Sequence, residues 1–176
     1  MFEEYIIQKL SRTDIKWDWF ALSTNPLITW RIVEAYIDKP WNFETLSMSR
    51  AMTWEFILAN IHKPWDWYWL SMNDIIDWKI VKENPDKPWD WYGLSRNKNI
   101  TWEIVKDNLD IQWSWFVLSD KPDVTWNVVK ENMDKNWYWY IISCVCLYSP
   151  STVIVSQSAP RTLKRYPSLE TRQQIF

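Results

Sequence analysis

The stretch Pro88-Trp-Asp-Trp-Tyr-Gly-Leu-Ser-Arg-Asn-Lys-Asn-Ile-Thr-Trp-Glu-Ile-Val-Lys-Asp-Asn-Leu-Asp-Ile111 is one copy of a 24-residue unit. Its first tryptophan belongs to a column of Trp17, Trp41, Trp65, Trp89, Trp113 and Trp137. A second column holds Trp19, Trp67, Trp91, Trp115 and Trp139, with Phe43 substituting once, and a third holds Trp30, Trp54, Trp78, Trp102 and Trp126. Sixteen of the 17 tryptophans fall in these columns, and only Trp69 lies outside. Self-similarity at one fixed period marks a solenoid or array, in which each unit buries its apolar face only by stacking on its neighbours.

Within the unit, each half carries helix punctuation. Thr101 is a candidate N-cap, Glu103 follows in the first turn where the helix dipole favours an anion, and Asn108 suits a left-handed C-terminal position. Trp102, Val105 and Leu109 form an i, i+3, i+7 stripe, repeated as Trp30-Val33-Ile37, Trp54-Ile57-Ile61 and Trp126-Val129-Met133. Lys82-Glu83, Lys106-Asp107 and Lys130-Glu131 fall on the opposite, solvated face. For the first half, Asp86 is the expected cap with Pro88 in the first turn, which puts Trp89 and Trp91 on opposite sides of one helix. The recurrent Ser23, Ser47, Ser71, Ser95, Ser119 and Ser143 are expected to bond back to the preceding turn rather than act as nucleophiles.

The expected fold is therefore all-α, a solenoid of short helix-turn-helix repeats. A β-solenoid competes, because Trp-Asp-Trp-Tyr and Ile-Thr-Trp-Glu-Ile also alternate with period two. Segments such as Val81-Lys-Glu-Asn-Pro-Asp-Lys87 are poor strand formers, and the single glycine, Gly93, leaves few positions for tight β corners. On this reading Asn takes the positive-φ positions that Gly would fill. Helices of about eight residues are marginal alone in water, so stacking must supply the stability. Burying one Trp, about 200 Å² at about 25 cal/mol per Å², contributes up to about 5 kcal/mol before entropy is subtracted.

The array is expected over residues 17–143. Residues 1–16 form a partial N-terminal repeat or cap, because Tyr5-Ile6-Ile7 resembles the start of a second helix. Residues 144–176 form a non-repeat tail: the Thr-Trp due at 149 and 150 is Ser149-Pro150, and four basic residues follow (Arg161, Lys164, Arg165, Arg172) against one acid, Glu170. A cap, a poorly ordered basic tail and a coding frameshift all fit that change, and its composition favours a poorly ordered segment dispensable for folding.

The formal charge of −2 offers no general attraction to nucleic acid or anionic membrane. Cys144 and Cys146 read as free thiols, the N-terminus lacks the basic start of a signal peptide, and no apolar run reaches spanning length. One glycine cannot build a phosphate-binding loop, and His62 stands alone where Asp38, Asp86, Asp110 and Asp134 stand in other units. The expectation is no catalytic residue, no cofactor and no metal.

The units Pro-Trp-Asp-Trp-Tyr-Gly-Leu-Ser-Arg-Asn and Ile-Thr-Trp-Glu-Ile-Val-Lys-Asp-Asn resemble the tryptophan-rich tandem repeats of proteins encoded by giant DNA viruses that infect amoebae. The resemblance covers about Trp17 to Ser143. It implies a place in the cytoplasm of the infected host cell, or in the virion. That family has no established enzymatic activity, so the resemblance transfers no site residues.

A residue required in every copy is most simply core, so the informative column is the one that varies: Ala21, Thr45, Trp69, Gly93, Val117 and Ile141. Trp69, beside Tyr68, is the leading candidate for an exposed contact. The expected function is a non-enzymatic scaffold binding an unidentified protein partner; a nucleic-acid or glycan reader with one contact per repeat is the alternative.

Overall fold

The computed structural model describes residues 2–145, and within them it contains twelve short helices and no strand. The described residues form an all-α repeat solenoid. An N-terminal helix, α1 (Phe2–Leu10), precedes six first helices, α2 (Trp19–Thr24), α4 (Phe43–Met48), α6 (Trp67–Met72), α8 (Trp91–Arg96), α10 (Trp115–Leu118) and α12 (Trp139–Val145). Between them lie the second helices α3 (Trp30–Ala35), α5 (Trp54–Ala59), α7 (Trp78–Glu83), α9 (Trp102–Lys106) and α11 (Trp126–Glu131). The first helices from α2 to α10 pack directly on one another in chain order, α6 and α8 most extensively, while α1 covers α3. The N-terminal tie is polar as well as apolar: Tyr36 donates its hydroxyl to the Ile7 carbonyl at 2.6 Å, and Thr29 donates to Glu3 at 2.5 Å.

The first helix begins later than its proline suggests. Asp86 is not its cap. The residue between the two tryptophans of Trp-x-Trp is: Asp18, Asn42, Asp66 and Asp90 each accept the backbone N–H three residues on, at 2.6–3.1 Å. Trp89 thus precedes the helix and Trp91 starts it, so the two do not flank one helix as the spacing alone implied. Pro88 serves a different turn, in which the Trp89 N–H reaches the Lys87 carbonyl at 2.8 Å. This i to i+2 closure has the proline at its centre, where a fixed φ near −65° fits.

From Trp89 onward, each leading tryptophan ties three units together. Trp89 meets Trp67 edge-on at 5.2 Å and Trp54 at 5.6 Å, reaching back past α7 to α6 and α5. Trp113 repeats this on Trp91 and Trp78, and Trp137 on Trp115 and Trp102. From Trp41 onward the indole N–H finds the carbonyl five residues earlier: Tyr36, Asn60, Asn84, Asn108 and Asn132 accept from Trp41, Trp65, Trp89, Trp113 and Trp137 at 2.7–2.9 Å. Trp17, which follows α1 instead of an Asn-terminated helix, has a buried indole nitrogen with no partner.

Those asparagines correct a second expectation. No described residue has positive φ, so Asn108 and its equivalents are not left-handed caps. Asn60, Asn84, Asn108 and Asn132 close their helices with the side chain, donating Nδ2 to the carbonyl four residues back at 2.7–3.0 Å. One residue satisfies two otherwise open groups, a helix-end carbonyl and an indole N–H. The second helices are also shorter than the i+7 stripe required: Ile61, Leu109 and Met133 lie beyond the helix ends and are exposed. The core instead takes Ile28, Met52, Ile76, Ile100 and Val124, immediately before the N-caps of α3, α5, α7, α9 and α11. With Val105 buried four helical positions in, Ile100 forms the arrangement of a hydrophobic staple.

The serine column does bond back, and it also bonds forward. Ser23, Ser47, Ser95, Ser119 and Ser143 donate to the carbonyl four residues earlier at 2.7 Å. Ser23, Ser47, Ser71, Ser95 and Ser119 accept the backbone N–H nineteen residues on, from Asn42, Asp66, Asp90, Ser114 and Tyr138, at 2.8–3.0 Å. Each hydroxyl is thereby a cross-repeat peg.

Gly93 allows the close approach of α6 and α8. A Cβ built there would lie 2.7 Å from the Tyr68 carbonyl oxygen and 3.0 Å from the Ser71 Cβ. Gly93→Val, which installs the residue present at position 117, is expected to cost about 1–3 kcal/mol through overpacking against backbone. Chemical denaturation of the two proteins measures this directly.

Candidate functional site: the outer face of the first helices

The second residue of each first helix points outward. This column reads Phe20, Glu44, Tyr68, Tyr92, Phe116 and Tyr140, with an aromatic side chain in five of six units at the array's own period. Phe20 is 62% exposed, Phe116 54% and Tyr140 54%, whereas the leading tryptophans from Trp41 to Trp137 are all buried. Position in the helix explains the difference. With Trp-x-Trp ending at the first helical residue, the next residue faces away from the neighbouring units, and nothing in the packing selects a large apolar side chain there. The sequence signal was present as periodicity, but it was hidden beside three stronger Trp columns.

Tyr68 and Trp69 lie where this ridge is densest. Their rings are 4.9 Å apart and edge-on, and Tyr68 approaches Tyr92 of the next unit at 6.2 Å. Both are half-buried, intermediate between framework and surface. A second aromatic group follows along the array, where Phe116 and Tyr138 stand 4.6 Å apart and Tyr138 and Tyr140 6.0 Å apart. Tyr138 occupies the x of Trp-x-Trp, so the last described unit replaces a capping side chain with an exposed ring.

Trp69 also lines a cleft of about 170 Å³ with Met48, Arg50, Met72, Asn73 and Asp74. Its rim carries a ladder of charge across three units, in which Asp74 receives Arg50 at 2.9 Å and Lys98 at 2.6 Å. These residues open turn pairs that differ from unit to unit, Arg50-Ala51, Asp74-Ile75 and Lys98-Asn99. Their companions Ala51 and Ile75 pack inward on the core, so only half of each turn is surface.

Beneath the turns runs a buried polar ladder. Asn73 Nδ2 donates to the Ser47 and Ser49 carbonyls at 3.0 and 3.1 Å. Asn97 Nδ2 donates to Ser71, Asn73 and Ile76 at 2.9, 2.9 and 3.1 Å. In the next unit Lys121 takes over, its ammonium donating to the Asn97 and Ile100 carbonyls at 2.8 and 2.6 Å. The lysine is 9% exposed. Burial pushes its pKa below the ordinary lysine value, and the nearby Asp123 carboxylate opposes that in part.

This shift gives a signed prediction. An unfolded chain with the higher pKa holds the proton more tightly, so Lys121 penalises folding at neutral pH. The penalty is relieved as pH rises through the window between the lowered folded value and the unfolded value near 10.4. Relative to Lys121→Asn, which restores the carboxamide of Asn73 and Asn97, the wild-type protein should gain stability between about pH 8 and 10.5. Paired melting curves at the two pH values read the difference, and parallel curves would show that the ammonium is effectively solvated.

Lys82, Glu83, Lys106, Asp107, Lys130 and Glu131 are exposed, and Lys79–Glu83 and Lys106–Glu103 pair along their own helices. His62 lies exposed in a turn. Cys144 is a free, exposed thiol; Cys146 and the expected non-repeat tail beyond it lie outside the described residues. Among the described residues no helix is long and apolar enough to cross a membrane. Neither a family model, nor a curated protein, nor a solved structure matches the chain.

Proposed function

We propose that the protein is a non-enzymatic scaffold that binds another protein along the outer face of its first helices. The observation that carries this reading is the outward aromatic column of Phe20, Tyr92, Phe116 and Tyr140, all exposed, with exposed Tyr138 and half-buried Tyr68 and Trp69 beside it. Aligned exposed rings are costly to leave in water, and contiguous apolar patches of this kind mark interaction surfaces. Their placement supports the same view. The first helices form the close-packed row of the solenoid, a continuous surface of the kind along which repeat arrays bind. Kinship with the viral tryptophan-repeat proteins, and residence in the infected-cell cytoplasm or virion, belong to this proposal.

The test is affinity capture from the cells that make the protein, using wild type and a Phe116→Ser/Tyr138→Ser variant with matched melting temperature. A specific protein should be retained by the first and lost by the second. Salt-dependent binding of RNA or DNA, or retention of a glycan polymer, with no protein captured would replace this reading by the one-contact-per-repeat alternative.

A further inference from the structure

Resting on that reading, we propose that the cleft between α4 and α6 is the specificity pocket of the ridge, and that it takes a short acidic peptide segment through one bulky apolar side chain.

Size comes first. The cleft holds about 170 Å³, and a cavity of about 150 Å³ accommodates a benzene ring, so one leucine, methionine or phenyl group fills it. Its lining suits such an anchor: Met48 and Met72 are flexible and polarisable, and Trp69 supplies a rigid aromatic wall. Trp69 is also spare with respect to the fold, since Ala21, Thr45, Gly93, Val117 and Ile141 serve at the same place in other units.

Charge then selects the segment around the anchor. Arg50 and Lys98 share the single carboxylate of Asp74, leaving one positive charge in excess at the turn end of the cleft. The Arg50 side chain is 80% exposed and meets Asp74 through Nη2, so its planar fork remains open to a carboxylate from solution. The acid on this part of the ridge, Glu44, sits at the opposite end of α4. An incoming Asp or Glu belongs beside Arg50, with the apolar anchor against Met48, Trp69 and Met72. A nucleic-acid strand suits it less well. The volume fits a side chain rather than a run of stacked bases, and Glu44 and Asp74 interrupt any track for a continuous phosphate backbone.

The experiment is selection of random peptides on the immobilised full chain, followed by anisotropy measurements with labelled winners. Enriched peptides should share one Leu, Met or aromatic residue beside Asp or Glu. Their affinity should fall about tenfold or more in Trp69→Ala, as for a central anchor contact. Arg50→Glu, a surface change, should weaken them and shift enrichment toward Lys- or Arg-flanked anchors. Basic winners on the wild-type chain, no winners, or winners indifferent to both substitutions would overturn the pocket. Winners lost instead in Phe116→Ser/Tyr138→Ser would overturn it while leaving the protein-binding ridge in place. Salt-dependent binding of an oligothymidylate with no peptide enriched would remove both.

Discussion

Replacing Trp89 by alanine is expected to lower the unfolding free energy by about 3–5 kcal/mol, the range for deleting a large aromatic from a packed core. The indole is 7% exposed and lies between Trp67 at 5.2 Å and Trp54 at 5.6 Å, so its removal opens a cavity bounded by two rigid rings. It also strips the Asn84 carbonyl of its 2.8 Å indole donor. Because Trp89 joins three consecutive units, the loss should appear as reduced coupling along the array as well as reduced stability, and denaturation should become less cooperative. Trp69→Ala is the control. Trp69 faces the cleft between α4 and α6 and touches Tyr68, but it is only half-buried, so its truncation should cost clearly less. Equal losses from both substitutions, measured by denaturation followed through circular dichroism, would make Trp69 part of the framework and would remove the main reason for assigning it a partner.

The period alone made the architecture legible, because an interface repeated at every 24th residue leaves its mark in every copy. The polar roles were harder to read. Asp90 and Asp86 are both credible caps on paper, and what separates them is that Trp89 must stay outside the helix to reach back two units, a long-range demand that local propensity does not encode. Asn108 stands at a helix end, as its residue type suggests, but without the left-handed conformation. An amide that bonds its own helix carbonyl while its backbone oxygen accepts an indole N–H needs no positive φ, yet it selects the same residue type as a left-handed cap does. At the candidate site, Trp69 is legible as a departure from the repeat and Tyr68 only as its neighbour. Tyr92, Phe116 and Tyr140 are not, since they follow the repeat while facing away from the core, and periodicity by itself does not distinguish a buried column from an exposed one. The cleft depended on Met48, Arg50 and Asp74 meeting across two units, which only the register of stacking brings about.

The polar ladder under the turns supplies the second large effect. Asn97 is fully buried, its Nδ2 serves carbonyls of Ser71, Asn73 and Ile76, and its Oδ1 accepts the Asn99 N–H at 2.8 Å. Asn97→Leu preserves approximate volume and removes every one of these bonds. Each buried group left without a partner costs about 1–3 kcal/mol, but the carbonyls are shared and partly relax, so the expected total is about 2–4 kcal/mol rather than their sum. Asn97→Asp sharpens the test. The carboxylate keeps the shape but turns the donor into an acceptor facing three carbonyl oxygens, which must raise its folded-state pKa. The sign follows: the penalty is fully present above that raised pKa and is relieved as pH falls through it, since the protonated carboxyl regains a donor. At neutral pH Asn97→Asp should therefore be the less stable of the two variants, and on acidification it should recover relative to Asn97→Leu. A constant gap between their melting temperatures from pH 7 to about pH 4 would mean that the carboxylate escapes to solvent, and that the Asn97 amide is not what locks one repeat to the next.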